Sequence, residues 1–127
     1  MIIEDELRKI FIDCGFTIDS HKVLGETYYK FMLSKKNTLN DEMRIYEVLF
    51  KNDVESFYEL CTINTLNIKN DLLIPSLTIN IEGMVNHTVS SFNIPSNKVL
   101  DSLECQVNMT NIAVEMTKFI KTKFIKP

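Results

Sequence analysis

The chain has 127 residues, of which 45% are hydrophobic and 24% charged, and its formal net charge is −3. These values predict one globular domain over residues 1–127, and they exclude a disordered or collagen-like chain. The mild acidity also argues against a general nucleic-acid or anionic-membrane binder, because such proteins are usually basic.

The first predicted element is a helix near the N-terminus. Apolar residues recur at steps of three and four from Ile3 to Cys14, as on one side of a helix. Acidic residues 4–6 lie in the first turn, where they favour the helix dipole and argue against a signal peptide. Gly15 is expected to end the helix.

Residues 19–51 are ambiguous between helix and strand. A helix over 19–34 is favoured by Glu26 and Lys30, which form a favourable pair one turn apart. A strand over 27–33 competes, because tyrosine, phenylalanine and threonine suit sheets. Residues 41–51 show the same conflict. We therefore expect a helical N-terminal half, with the alternative of an additional hairpin formed by 27–33 and 43–50.

A further helix is predicted after residue 51. Asn52 can cap its N-terminus, and Glu55 stands three residues later as in a capping box. Cys61 falls on its apolar side, and the pattern fades toward Asn67.

The second half of the chain predicts a sheet and a final helix. Alternation around residues 77–82, a turn at Glu82-Gly83 and a strand from Val85 to Phe92 indicate a hairpin, followed by a loop over 94–97. Alternation continues over 103–109, which gives a three-stranded antiparallel meander at about 76–109. Apolar residues then recur at helical spacing, so a C-terminal helix at about 111–124 covers the sheet. The expected fold class is α+β.

The reactive residue types form no recognisable site. The three cysteines are odd in number and lack close spacing, which favours reduced thiols and a cytoplasmic protein. His21 and His87 have no second ligand at metal spacing, so no metal is expected. Without a glycine-rich phosphate motif we expect no cofactor and no enzyme. No window is apolar enough to span a membrane.

Two charged regions are candidate binding sites. The first is an acidic face that would contact a basic protein partner such as a toxin or effector. Its members are Asp41, Glu42, Glu47, Asp53, Glu55 and Glu59. The second is a lysine patch, which is more simply a solvated helix end but would also serve as an anion-binding patch for nucleic acid or an acidic partner. Its members are Lys118, Lys121, Lys123 and Lys126.

The function expected from these features is non-catalytic protein binding in the cytosol. The main hypothesis is a toxin-neutralising immunity or antitoxin protein, or a phage or mobile-element accessory protein. One alternative is a chaperone for an exported protein, working as a homodimer through exposed apolar surface. A second alternative is a regulatory nucleic-acid binder that uses the C-terminal lysines. The oligomeric state stays open.

Overall fold

A computed structural model shows an α+β fold and describes residues 3–25, 28–38, 41–51, 60–66, 74–80, 85–90 and 96–124. Within these residues two helices accompany one six-stranded sheet. The elements are α1 (Ile3–Asp13), β1 (Thr17–Leu24), β2 (Tyr28–Lys36), β3 (Met43–Lys51), β4 (Cys61–Leu66), β5 (Ile74–Ile79), β6 (Val85–Ser90) and α2 (Ser96–Phe124).

The strands form an antiparallel meander in the order β1-β2-β3-β4-β5-β6. The prediction of a three-stranded meander at 76–109 is therefore wrong, because the sheet begins near residue 17 and its last strand ends at Ser90. The pairing register is continuous except for an irregularity between Ile18 and Ser20 in β1.

The predicted N-terminal helix is confirmed as α1. Gly15 follows it with a φ of 88°, in the left-handed region that glycine adopts without steric cost. The N–H of Phe16 donates to the carbonyl of Phe11 at 3.0 Å, and the N–H of Gly15 donates to Ile12 at 2.9 Å. These two bonds are the Schellman motif that satisfies the last carbonyls of a helix.

The helical N-terminal half beyond α1 is wrong, and the alternative hairpin is confirmed as β2 and β3. The strand β1, which precedes this hairpin, was not predicted at all. In β2 alternate residues are buried, including Phe31 and Leu33 at 0% exposure, which a helical arrangement would scatter around its axis. Lys30 finds its carboxylate partner across the strands in Glu47, at 3.4 Å.

The predicted helix after Asn52 is wrong where the structure describes it. Residues 52–59 lie outside the described part of the chain, and residues 61–66 form β4. Cys61, Ile63 and Thr65 alternate as buried positions in this strand. Residues 61–66 therefore follow the period of two of a strand, although the capping pattern at Asn52 predicted that the helix would extend into them.

The strands predicted around residues 77 and 85 are confirmed as β5 and β6, which pair from Ile79↔Val85 to Ile74↔Ser90. The turn at residues 82–83 lies outside the described residues.

The strand predicted over 103–109 is wrong, because α2 runs unbroken from Ser96 to Phe124. It also includes Ser96 and Asn97, which were predicted as loop. Cys105 and Met109 are buried, whereas Leu103 and Val107 are 47% and 57% exposed. The apolar residues that alternate along the sequence therefore lie on two different faces of the helix. The helix predicted at about 111–124 is the second half of α2.

Both helices pack on one face of the sheet. Phe11 of α1 meets Phe31 edge-on, with ring centroids 5.1 Å apart. From α2 a fully buried stripe faces the strands, formed by Cys105, Met109, Ile112, Met116 and Ile120. The opposite face, here called the open face, carries the half-buried alternating residues, among them Met32 and Glu47.

Candidate interaction surfaces

A groove of about 840 Å³ runs between α1 and α2. On one side its wall follows one face of α1 and the residue after it, with Glu6, Lys9, Ile10, Asp13 and Cys14. On the other side α2 contributes Asn111, Val114, Glu115, Lys118, Phe119 and Thr122. Both sets recur at steps of three and four, so two helical faces stand side by side. Such a cleft can accept a third helical segment.

An exposed apolar stripe on α2 continues from this groove. Its members, here called the α2 stripe, are Leu103, Val107 and Val114, which are 47%, 57% and 49% exposed. Spacings of four and seven residues place them on one side of the helix. Leu103 and Val107 border a smaller depression that shares Asn111 with the groove. The stripe and the groove therefore form one continuous surface.

The groove combines apolar side chains with a charged rim that holds three acids, Glu6, Asp13 and Glu115, and two lysines, Lys9 and Lys118. Glu115 pairs with Lys118 at 3.2 Å, which neutralises one of its carboxylates. Among the described residues no cation pairs with Glu6 or Asp13 on the α1 side. A segment with apolar residues on one side and basic residues at its flank would complement this arrangement.

Burial favours the protonated form of two thiols, those of Cys14 and Cys61. Burial is the main cause that raises the pKa of Cys14, whose thiol donates to the carbonyl of Asn111 at 3.6 Å across the groove. Burial also raises the pKa of Cys61 to about 12. Because the thiolate is the nucleophilic form, Cys14 and Cys61 are poor nucleophiles at neutral pH. Cys14 is therefore a packing residue of the groove wall.

The two histidines lie on opposite edges of the sheet. His21 of β1 accepts a hydrogen bond from Arg8, lies 3.6 Å from a carboxylate oxygen of Glu4 and stacks on Phe31 at 5.6 Å. His87 of β6 pairs in register with Leu77. Within the part of the chain that the structure describes, no group of three or more histidine, cysteine or acidic residues is arranged to hold a metal.

The predicted acidic face is described only in its first half. Asp41 lies 3.8 Å from Lys36, Glu42 lies 2.7 Å from the buried Arg44, and Glu47 pairs with Lys30 on the open face. Each of these carboxylates thus has a cation of the same chain beside it. The remaining members, Asp53, Glu55 and Glu59, lie outside the described residues. Binding by this face stays a prediction.

The predicted lysine patch lies on the last two turns of α2. Lys118 faces the groove beside Glu115, and Lys121 and Lys123 follow in the final turn of the helix. Lys126 lies outside the described residues. The anion-binding role of this patch stays a prediction.

The α2 stripe and the groove were missed from the sequence. Leu103 and Val107 were assigned to the inner face of a strand, which hid their relation to Val114. The signal that would have found them is their spacing of four and seven residues, continued into the obvious helix after Ile112.

None of the described helices has the length and apolar character needed to cross a membrane. Comparison of the chain with protein-family models, with curated proteins and with solved structures found no match.

Proposed function

We propose that this chain is a non-catalytic protein-binding protein that holds a helical segment of a partner in the α1–α2 groove. The observation that carries the proposal is the α2 stripe, three exposed apolar residues in line with a groove of suitable size. Exposed apolar surface of this kind is costly in water unless a partner covers it.

The chemistry of the groove specifies the partner segment. Ile10 and Phe119 supply apolar floor, so the segment presents apolar residues at steps of three and four. On the α1 side of the rim Glu6 and Asp13 outnumber Lys9, which favours lysine or arginine at the flank of the segment. A basic toxin or effector fits this description, and neutralisation of such a protein is the version that we favour. The three cysteines form no disulfide in the structure, which supports a cytoplasmic setting.

A chaperone for an exported protein is the second candidate. The β2–β3 hairpin, which was only an alternative in the sequence, brings the order of elements closer to that class. Both versions hold a partner segment, and they differ in whether the bound protein loses a toxic activity or is kept ready for export.

The test is site-specific photo-crosslinking from position 107 in the source cell. The reactive group replaces Val107, and crosslinked segments are mapped by mass spectrometry with and without nuclease. We expect crosslinks to one defined segment of a protein, insensitive to nuclease. Inhibition of that protein's activity by the purified chain then separates neutralisation from chaperoning.

Two matched variants make the result specific. Val114→Arg places a charge in the groove, whereas Ile12→Arg changes an apolar residue of α1 that is somewhat more exposed and lies outside the groove lining. We expect the crosslink to disappear in the first variant and to persist in the second. Equal crosslinking in both variants, or crosslinks only to nucleic acid, would exclude the groove as the binding site.

A further inference from the structure

In the described part of the chain, the outer edge of β6 shows none of the charge, proline or bulge that usually protects an edge strand. β6 is the last strand of the sheet, and no further strand among the described residues pairs with it. Its sequence from Val85 to Ser90 contains no charged residue and no proline, and its pairing with β5 has no bulge. Natural edge strands commonly use charge, proline or a bulge to prevent pairing with other chains.

The opposite edge of the sheet is protected in this way. β1 carries an irregularity between Ile18 and Ser20, and the residue there, Asp19, accepts a hydrogen bond of 3.1 Å from Ser34. Lys22 adds a charge further along the strand. Head-to-tail pairing of β1 with β6, which would generate open chains of molecules, is therefore disfavoured. Pairing of β6 with another β6 closes after two copies.

We propose that β6 pairs antiparallel with β6 of a second copy, around a two-fold axis through His87. Opposite residues of an antiparallel pair share a face of the sheet, so the axis at His87 sets Val85 against the partner's Val89. It sets Asn86 against the partner's Thr88, at register positions of the open face. This register matches β-branched apolar residues with each other, which stabilises strand pairs.

The dimer is independent of the α1–α2 groove. It uses backbone groups at the β6 edge, whereas the groove lies between the two helices. The described part of the junction is six residues of each chain, which is small, so the dimer is expected to dissociate on dilution. The proposed function and the dimer can therefore fail separately.

The test compares two double variants of the full chain by sedimentation over a wide range of concentration. Asn86→Lys with Thr88→Lys sets lysine against lysine twice across the axis. Asn86→Lys with Thr88→Glu sets lysine against glutamate twice. We expect the wild-type chain to reach a mass of twice 14.8 kDa at high concentration. The dissociation constant of the lysine–lysine dimer should be at least about tenfold higher, and that of the lysine–glutamate dimer should return toward the wild-type value.

The controls distinguish the register from a general effect of charge. Ser20→Lys places a lysine on the protected β1 edge and should leave the mass unchanged. Circular dichroism establishes that every variant is folded. A wild-type chain that stays monomeric at all concentrations would overturn the proposal. So would a lysine–lysine variant that dimerises like wild type, or a lysine–glutamate variant that stays as weak as the lysine–lysine one.

Discussion

The side-chain amide of Asn108 in α2 donates a hydrogen bond of 3.1 Å to the hydroxyl of Tyr46 in β3, inside the core. Nearby, Thr65 of β4 donates to the sulfur of Met109 at 3.1 Å. Because a buried polar group without a partner is costly, these contacts restrict which side of α2 can face the sheet. The α2 stripe is exposed as a consequence.

Removing the hydroxyl of Tyr46 should therefore destabilise the fold. Tyr46→Phe leaves the amide of Asn108 buried without its acceptor, and we expect a loss of about 1–3 kcal/mol in the free energy of unfolding. Tyr28 is a half-buried residue of β2, and Tyr28→Phe should change the free energy of unfolding by less than about 0.5 kcal/mol. Urea denaturation measures both, and equal effects would show that the Asn108–Tyr46 bond contributes nothing.

Substitutions in residues 103–109 test whether this segment is the helix of the structure or the strand that the sequence suggested. Met109 is 1% exposed and Val107 is 57% exposed. Met109→Ala should cost about 2–5 kcal/mol through lost packing, whereas Val107→Lys should stay within about 0.5 kcal/mol. A strand would bury both residues equally. Similar losses for the two variants in urea denaturation would contradict the orientation of α2.

Stability should decrease at alkaline pH. Burial raises the pKa of Cys61 to about 12 from an ordinary value of 9.0, and it also raises the pKa of Tyr46. The folded state thus holds these protons more tightly than the unfolded chain. The contribution of Cys61 is complete below about pH 9 and is lost as the pH rises toward 12. The contribution of Tyr46 begins to be lost only above its ordinary pKa of 10.0.

The pH prediction is checked by urea denaturation between pH 8 and 11, in steps of about one unit. Cys61→Ala and Tyr46→Phe each remove one titrating group, so each variant should lose less stability over this interval than the wild-type chain. Parallel curves for all three proteins would contradict a role of these two groups.

Gly15 is expected to tolerate few substitutions. Gly15→Ala places a side chain at a φ of 88°, and we expect a loss of about 1–2 kcal/mol in the free energy of unfolding. The nearest atom to the new Cβ is the flexible end of Lys35 at 3.4 Å, so the cost arises from the backbone. Gly15→Asn should cost less, because asparagine adopts this conformation more readily. Thermal denaturation of both variants tests this order.

Local patterns in the sequence were sufficient for some elements. The apolar stripe from Ile3 to Cys14 and the glycine after it specify α1 by themselves, because capping and helical periodicity agree. Alternation in residues 77–79 likewise identified β5. In these segments one period fits and no other does, so no distant contact is needed to choose between them.

The tertiary structure decided the segments in which two periods fit the same residues. Lys30 suits a helical pair with Glu26 as well as a cross-strand pair with Glu47, and only the neighbouring strand β3 selects the second. Leu103, Cys105, Val107 and Met109 alternate like a strand, yet packing against β4 and β5 divides them between two faces of a helix. The groove depends in addition on how α1 and α2 lie side by side. The sequence by itself thus determined the class α+β and α1. Long-range packing decided the six-stranded sheet, the length of α2 and the exposed stripe, because the local pattern in those segments is compatible with both helix and strand.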